Sequence, residues 1–257
     1  MASTVSSTTT NVAAIEGSGS TRVLVLPGWA LDANVWLATR AELDVDGFTF
    51  AYVDFPGYGI AQNEPPAEGI EGMAATVLRA ADSLGWEEFA IIGHSMGGET
   101  ALRVATLAPN RVTQVIAVTP VSPAGTPLDA NTYASFEAAW ADPGAAIRAA
   151  LSPAMEDADL QQLVSRNRSS MSRETWEKYL HNWTSSPSFI HELDAYQGRV
   201  TVLWGETDPF VTPAYLGETL SRLSNAVLSQ IKSAGHYPMV ETPKALARVI
   251  ESALRES

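Results

Sequence analysis

The chain contains no cysteine in its 257 residues. That absence excludes disulfides, thiolate-bound zinc, iron–sulfur clusters and a cysteine nucleophile. Histidine is scarce as well: His94, His181, His191 and His236 are the whole set. None of them forms a His-x-x-x-His pair, so no metal site is expected, and no cofactor. Cations are few, with 16 Lys and Arg against 29 Asp and Glu and a net charge of −13. Nucleic acids and anionic membrane surfaces attract clustered cations, so neither is expected as a partner. No apolar run reaches the roughly 18 residues that a membrane span requires. Met1 to Ser20 is rich in Ser and Thr and has neither the basic start nor the apolar stretch of a secretory signal. That pattern points to a cytoplasmic protein. The composition leaves the oligomeric state open.

What is present is an ordinary globular composition, 46% hydrophobic and 18% charged, enough for one well-buried core with a smaller insertion. Short β-type runs alternate with helical patterns, as in a mostly parallel sheet covered by helices on both faces. The strands are expected at Arg22 to Leu26, Phe48 to Asp54, Phe89 to Ile92, Arg111 to Val118, Val200 to Trp204 and Ala226 to Ile231. Their apolar character is that of strands buried on both faces. Ser6 to Glu16 is a candidate antiparallel edge pair, which would bring the sheet to eight strands. Helical spacing marks Gly72 to Leu84, Thr100 to Leu107 and Pro243 to Leu254. Val121 to about Tyr196 breaks the alternation, with helical patterns and no convincing strand. Within it, Ser172 can cap a helix that carries Trp176, Tyr179 and Trp183 on one face. Phe136 and Trp140 form an i, i+4 pair on an earlier one. These features divide the chain into a core, residues 1–120 and 197–257, and an all-helical lid, residues 121–196.

Phe89 to Glu99 reads FAIIGHSMGGE. An apolar strand runs into Gly93-His94-Ser95-Met96-Gly97 and a helical pattern begins at once, which is G-x-S-x-G in the context its chemistry requires. The serine must sit on a sharp strand-to-helix turn, and side chains at the flanking glycines would collide with neighbouring elements. The turn puts Ser95 at a helix N-terminus, where developing negative charge is favoured.

A serine hydroxyl is a weak nucleophile until a base takes its proton. Where a strand–serine–helix turn carries the nucleophile, the partners to look for are an acid after a late strand and a histidine after the last. Asp208, in Gly205-Glu206-Thr207-Asp208-Pro209, is held extended by Pro209, and Glu206 is its substitute. His236, in Ser233-Ala234-Gly235-His236-Tyr237-Pro238, follows the last strand. His94 sits on the turn itself, badly placed to reach the hydroxyl, and His181 and His191 lie in the insertion. An oxyanion needs two preorganised N–H donors. Met96 follows the nucleophile, and Trp29 lies in the loop after the first parallel strand, where Pro27 has no N–H to give.

With these residues, the chain resembles the α/β-hydrolase superfamily over most of its length. The matching segments are LPGWALDANVW (26–36), VDFPGYG (53–59), IGHSMGG (92–98), WGETDPFV (204–211) and SAGHYPMVETP (233–243). The Pro-Gly-Trp loop and the lidded layout look like the pimeloyl-acyl-carrier methyl ester carboxylesterase group. The resemblance implies Ser95 as nucleophile, His236 as base, Asp208 as its orienting partner, and Trp29 with Met96 at the oxyanion. Pro27 departs from the histidine that most relatives carry there, which bears on the shape of the loop and not on the triad. Ser95 also separates the chain from dehalogenases and epoxide hydrolases of this fold, which carry Asp at that position.

The expected activity is hydrolysis of a small carboxylic ester with hydrophobic parts, through an acyl-enzyme. Lactone opening, carbon–carbon cleavage beside a ketone and perhydrolysis can use the same residues, and a ligand receptor on the same fold is a reading of a different class. Trp140, Trp176, Trp183 and Phe210 are the candidate substrate-binding residues. The competing reading of the three tryptophans is that they pack the lid onto the core.

Overall fold

A computed structural model describes residues 10–256 of the chain. Seven strands form one sheet: β1 (Val12–Gly17), β2 (Thr21–Leu26), β3 (Phe48–Val53), β4 (Phe89–His94), β5 (Val112–Val118), β6 (Arg199–Gly205) and β7 (Ala226–Ile231), in the order β1-β3-β2-β4-β5-β6-β7. Only β1 runs antiparallel, against β3, and the other five pairings are parallel. The expected eight-stranded sheet is thus seven-stranded among the described residues. The proposed edge pair supplies one strand, β1, and its beginning at Ser6 lies outside the described residues.

The central strands are covered on both faces. Leu24, Ile91, Val115, Ile116 and Val202 are completely buried, which explains why these segments read as continuous apolar runs instead of alternating ones. β7 differs from expectation. It is an edge strand, with Val227 46% and Leu228 38% exposed, because a parallel strand with a neighbour on one side alone escapes the covering helices.

The chain lays β3 on one side of β2 and then crosses to put β4 on the other. The carboxyl ends of β2 and β4 therefore flank the point where the strand order reverses, the place at which open α/β sheets form a crevice. The loop after β2 and the turn after β4 both sit there.

Between β5 and β6 the described chain holds no strand. It forms helices Ala130–Ala138, Pro143–Ala150, Asp157–Ser170 and Arg173–Ser185 and a 3₁₀ turn at Ile190–Ala195. Side chains of Asp129, Asp142 and Ser172 cap three of these helices by accepting backbone N–H groups. Helix Ala130–Ala138 ends before Trp140, so the expected i, i+4 pair on one helix is not formed. Asp142 and Pro143 open the next helix, and a residue before proline is pushed out of helical backbone angles. The segment is tied to the sheet-bearing part of the chain by polar contacts. Tyr179 Oη donates to the Pro56 carbonyl at 2.6 Å, and Asn182 Nδ2 to that of Ala67 at 2.8 Å.

Asp54 joins two loops at the sheet's carboxyl edge. Its carboxylate accepts the Ala33 N–H at 2.6 Å and the Ile60 N–H at 2.9 Å. Burial pushes its pKa from 3.8 up to about 6, while those two N–H groups pull it down. The folded chain therefore holds this proton more tightly than the unfolded one. Asp54's contribution to stability is full below pH 3.8 and is lost as pH rises through about 6, a swing of about 3 kcal/mol. We expect carbon-13 NMR to show the Asp54 carboxyl titrating with a midpoint near 6; an ordinary aspartate midpoint would contradict this account.

Candidate active site

The turn after β4 carries Ser95 at φ 51° and ψ −117°, directly before helix Met96–Leu107. Such angles are costly for a residue with a side chain, by about 1–3 kcal/mol, and the surroundings hold them in place. Ser95 N–H donates to the Val118 carbonyl at 2.9 Å, and its own carbonyl accepts from Gly98, Glu99 and Val121. The two flanking glycines are required by close approach. A Cβ on Gly93 would lie 2.1 Å from the Gly97 carbonyl oxygen, and one on Gly97 would lie 2.2 Å from that of Pro27. These are the collisions foreseen from the motif.

His236 Nε2 lies 3.0 Å from Ser95 Oγ, and His236 Nδ1 lies 2.8 Å from Asp208 Oδ2. All three residues are at most 6% exposed. An ionised carboxylate accepts only, so Nδ1 bears the proton and Nε2 turns its lone pair to the serine hydroxyl. The other Asp208 oxygen accepts the N–H groups of Phe210 and Val211 at 2.8 and 3.0 Å. The expected substitute acid, Glu206, faces away and accepts the Ser233 N–H at 2.9 Å.

The backbone of His236 is gripped at both ends, by residues that motif reasoning did not find. Its carbonyl accepts from His94 Nε2 at 2.8 Å and Thr119 Oγ1 at 3.0 Å. Its N–H donates to Ser152 Oγ at 2.9 Å, and Ser152 donates in turn to Glu241 Oε1 at 2.8 Å. Glu241 also accepts the N–H groups of Gly235 and Tyr237, at 3.0 and 2.9 Å. One carboxylate thus spans the histidine loop and reaches Ser152, which belongs to the helical segment. Glu241 lies five residues after His236 in the quoted SAGHYPMVETP, and that adjacency was its signal in the sequence. Ser152 left none.

Among the described residues, neither the Trp29 nor the Met96 backbone N–H donates to any protein group. A cavity of about 320 Å³ opens on Ser95 and His236, with Trp29, Phe136, Trp183 and Phe210 among its walls. Trp183 Nε1 is buried there without a partner. A second cavity, of about 360 Å³, contains Trp176 in its wall. Trp140 lines neither cavity; its ring meets Trp176 edge-on at 5.7 Å and lies under the Arg168 guanidinium. Of the four expected pocket residues, therefore, two face Ser95, one faces the second cavity and one packs behind it. Phe136 and Leu151, which line both cavities, had not been singled out for this. His181 and His191 are exposed. Among the described residues no cluster of His, Asp and Glu is arranged to hold a metal, and no helix is long and apolar enough to cross a membrane.

A mostly parallel sheet, a strand–serine–helix turn at its reversal point and a long helical excursion before β6 define an α/β-hydrolase architecture. The chain belongs to the alpha/beta hydrolase family, whose pattern matches residues 23–249. It is 38% identical over 108 residues to a dihydrolipoyllysine-residue acetyltransferase component of an acetoin cleaving system from Cupriavidus necator, a stretch that is 41% of this chain and 28% of that protein. It is 39% identical over 104 residues to a pimeloyl-[acyl-carrier protein] methyl ester esterase from Citrobacter koseri, 40% of this chain and 38% of the other. The matches thus span well under half of these relatives. A thermophilic esterase from Thermogutta terrifontis shares the fold, with a TM-score of 0.78 and 22% identity over 95% of this chain and 93% of its own.

His94 offers a direct check on the geometry. Burial, and then the neighbouring His236, hold its pKa well below the usual imidazole range. Its partner at Nε2 is a carbonyl, so that nitrogen must donate. We expect nitrogen-15 NMR to show His94 as the neutral Nε2–H tautomer throughout the pH range 5 to 8 in which ordinary histidines titrate. Protonation of His94 within that window would contradict the arrangement.

Proposed function

We propose that the chain is a serine hydrolase that cleaves carboxylic esters through an acyl-enzyme. Ser95 is the nucleophile, His236 the general base and acid, and Asp208 the group that orients the imidazole and stabilises its charged form. The single observation that carries the reading is the buried line from Asp208 through His236 to Ser95, with gaps of 2.8 and 3.0 Å, which lie within proton-transfer reach.

In the first step His236 Nε2 takes the Ser95 proton as Oγ attacks the ester carbonyl. The oxyanion rests on the Trp29 and Met96 N–H groups, whose freedom from protein acceptors supports this role. His236 then protonates the departing alcohol, and water, activated by the same imidazole, releases the acid. The proposed division makes residues 1–120 and 197–257 the catalytic core, with 1–9 and 257 outside the described residues, and residues 121–196 its lid. In support, Phe136, Leu151 and Trp183 of that segment roof the cavity on Ser95. The substrate is a small ester with hydrophobic parts, as the aromatic walls suggest, and an ester function stands in the name of the Citrobacter koseri relative. The reaction needs no metal or cofactor, and the proposed setting is the cytoplasm.

Replacing Ser95 with Ala is expected to lower kcat on p-nitrophenyl esters by about 10⁴–10⁶ and to abolish labelling by a fluorophosphonate. A variant that kept the wild-type rate would end the proposal. Glu241→Gln turns an amide donor towards N–H groups that need an acceptor, so the His236 loop loosens. We expect kcat to drop roughly tenfold with KM little changed; a selective rise in KM would place Glu241 in binding instead.

A further inference from the structure

The second cavity has a polar feature that the proposed reaction at Ser95 leaves unused. Asn167, on helix Asp157–Ser170, stands in its wall and is only 4% exposed. Its Nδ2 donates to the Ala30 carbonyl at 2.6 Å. A carbonyl can be met only by a donor, so that contact settles which amide atom is which. Oδ1 is then left buried with no hydrogen-bond partner. An orphaned buried acceptor forfeits about 1–3 kcal/mol, which a donor placed beside it would recover.

Apart from Asn167 and the Tyr237 hydroxyl, the wall of this chamber is apolar or carries indole N–H groups that are already occupied. Leu31, Ala146, Ile147 and Leu163 are neighbours in the wall. The two indole N–H groups are occupied: Trp29 Nε1 donates to the Trp176 carbonyl and Trp176 Nε1 to that of Phe136. Trp29, Phe136, Leu151 and Tyr237 line this cavity and also the one on Ser95. The two chambers are therefore separated by one partition of side chains. Three of the four are rings, and Phe136 and Leu151 come from the segment proposed as the lid.

We propose that the second chamber receives the longer arm of the ester and that Asn167 Oδ1 accepts a hydrogen bond from a hydroxyl on it. The substrate class is then a hydroxylated aliphatic ester, with its carbonyl at Ser95 and its hydroxyl past the partition. A plain alkyl arm would fill the same volume but leave Oδ1 unpaired. Preference arises because a site with a buried unpaired polar atom binds the complementary group and discriminates against the analogue that lacks it. This inference rests on the ester-hydrolase reading of Ser95.

The test compares kcat/KM for matched esters with and without a terminal hydroxyl over graded arm lengths. One series places the hydroxyl on the acyl arm, as p-nitrophenyl hydroxyalkanoates against alkanoates. The other places it on the alcohol arm, as diol monoacetates against alkyl acetates. In one series the wild-type protein should favour the hydroxylated ester about tenfold at its best length. Asn167→Leu should bring that ratio to one or below. The lost contact with Ala30 affects both esters alike and cancels in the ratio. Turnover of plain esters with no hydroxyl preference in either series overturns this inference and leaves the ester-hydrolase reading intact. A preference that survives Asn167→Leu also overturns it. Failure to cleave any ester, with no labelling of Ser95, removes both.

Discussion

The left-handed backbone at Ser95 is the constraint around which the rest of the molecule is arranged. A non-glycine residue at φ 51° holds that shape only where neighbours over-determine it. Here they do so from three sides. The end of β5 accepts its N–H, the first turn of the following helix and Val121 donate to its carbonyl, and two glycines let the helix and the loop after β2 come within distances that a side chain would forbid. Sheet order supplies the location. Because β2 and β4 are neighbours at the reversal point, the loop carrying Trp29 lies beside the turn carrying Ser95.

The second requirement is aim. An imidazole at the end of a loop could point in many directions, and this one is fixed through its backbone as well as through Asp208. Four parts of the chain hold the His236 peptide: the β4 turn through His94, the end of β5 through Thr119, the helical segment through Ser152, and the short helix Pro238–Glu241 through Glu241. Burial strengthens each bond by removing competing water. Ser152 also couples the proposed lid to the proposed base.

Much of this was legible in the sequence, for identifiable reasons. The five inner strands, β2 to β6, were visible because burial on both faces imposes unbroken apolar runs, as at Val23–Leu26 and Val115–Val118. Ser95, Asp208 and His236 were visible because each follows a strand end, and backbone punctuation by Gly93, Gly97, Gly235 and Pro209 is local. Sheet edges leave a weaker mark in the sequence. β7 has the apolar letters of a core strand but lies at the rim, and strand letters do not record how many neighbours a strand has. Trp140 keeps the i, i+4 spacing to Phe136, but the helix stops before it, because Asp142 and Pro143 already open the next one.

By itself, then, the amino-acid order determined the elements, their alternation and the residues whose chemistry is local: a serine between glycines, an aspartate before a proline, a histidine after a glycine. The tertiary structure alone decided which of the aromatic side chains face Ser95 and which only pack, that Glu206 turns away, that Ser152 and Glu241 hold the histidine loop, and that Asn167 keeps an unsatisfied oxygen in a second chamber. The reason is physical. Backbone angles and burial periodicity act over a few residues and leave marks in the sequence, whereas the distance between side chains a hundred residues apart is set by how sheet, loops and helices pack, and no short stretch of letters contains it.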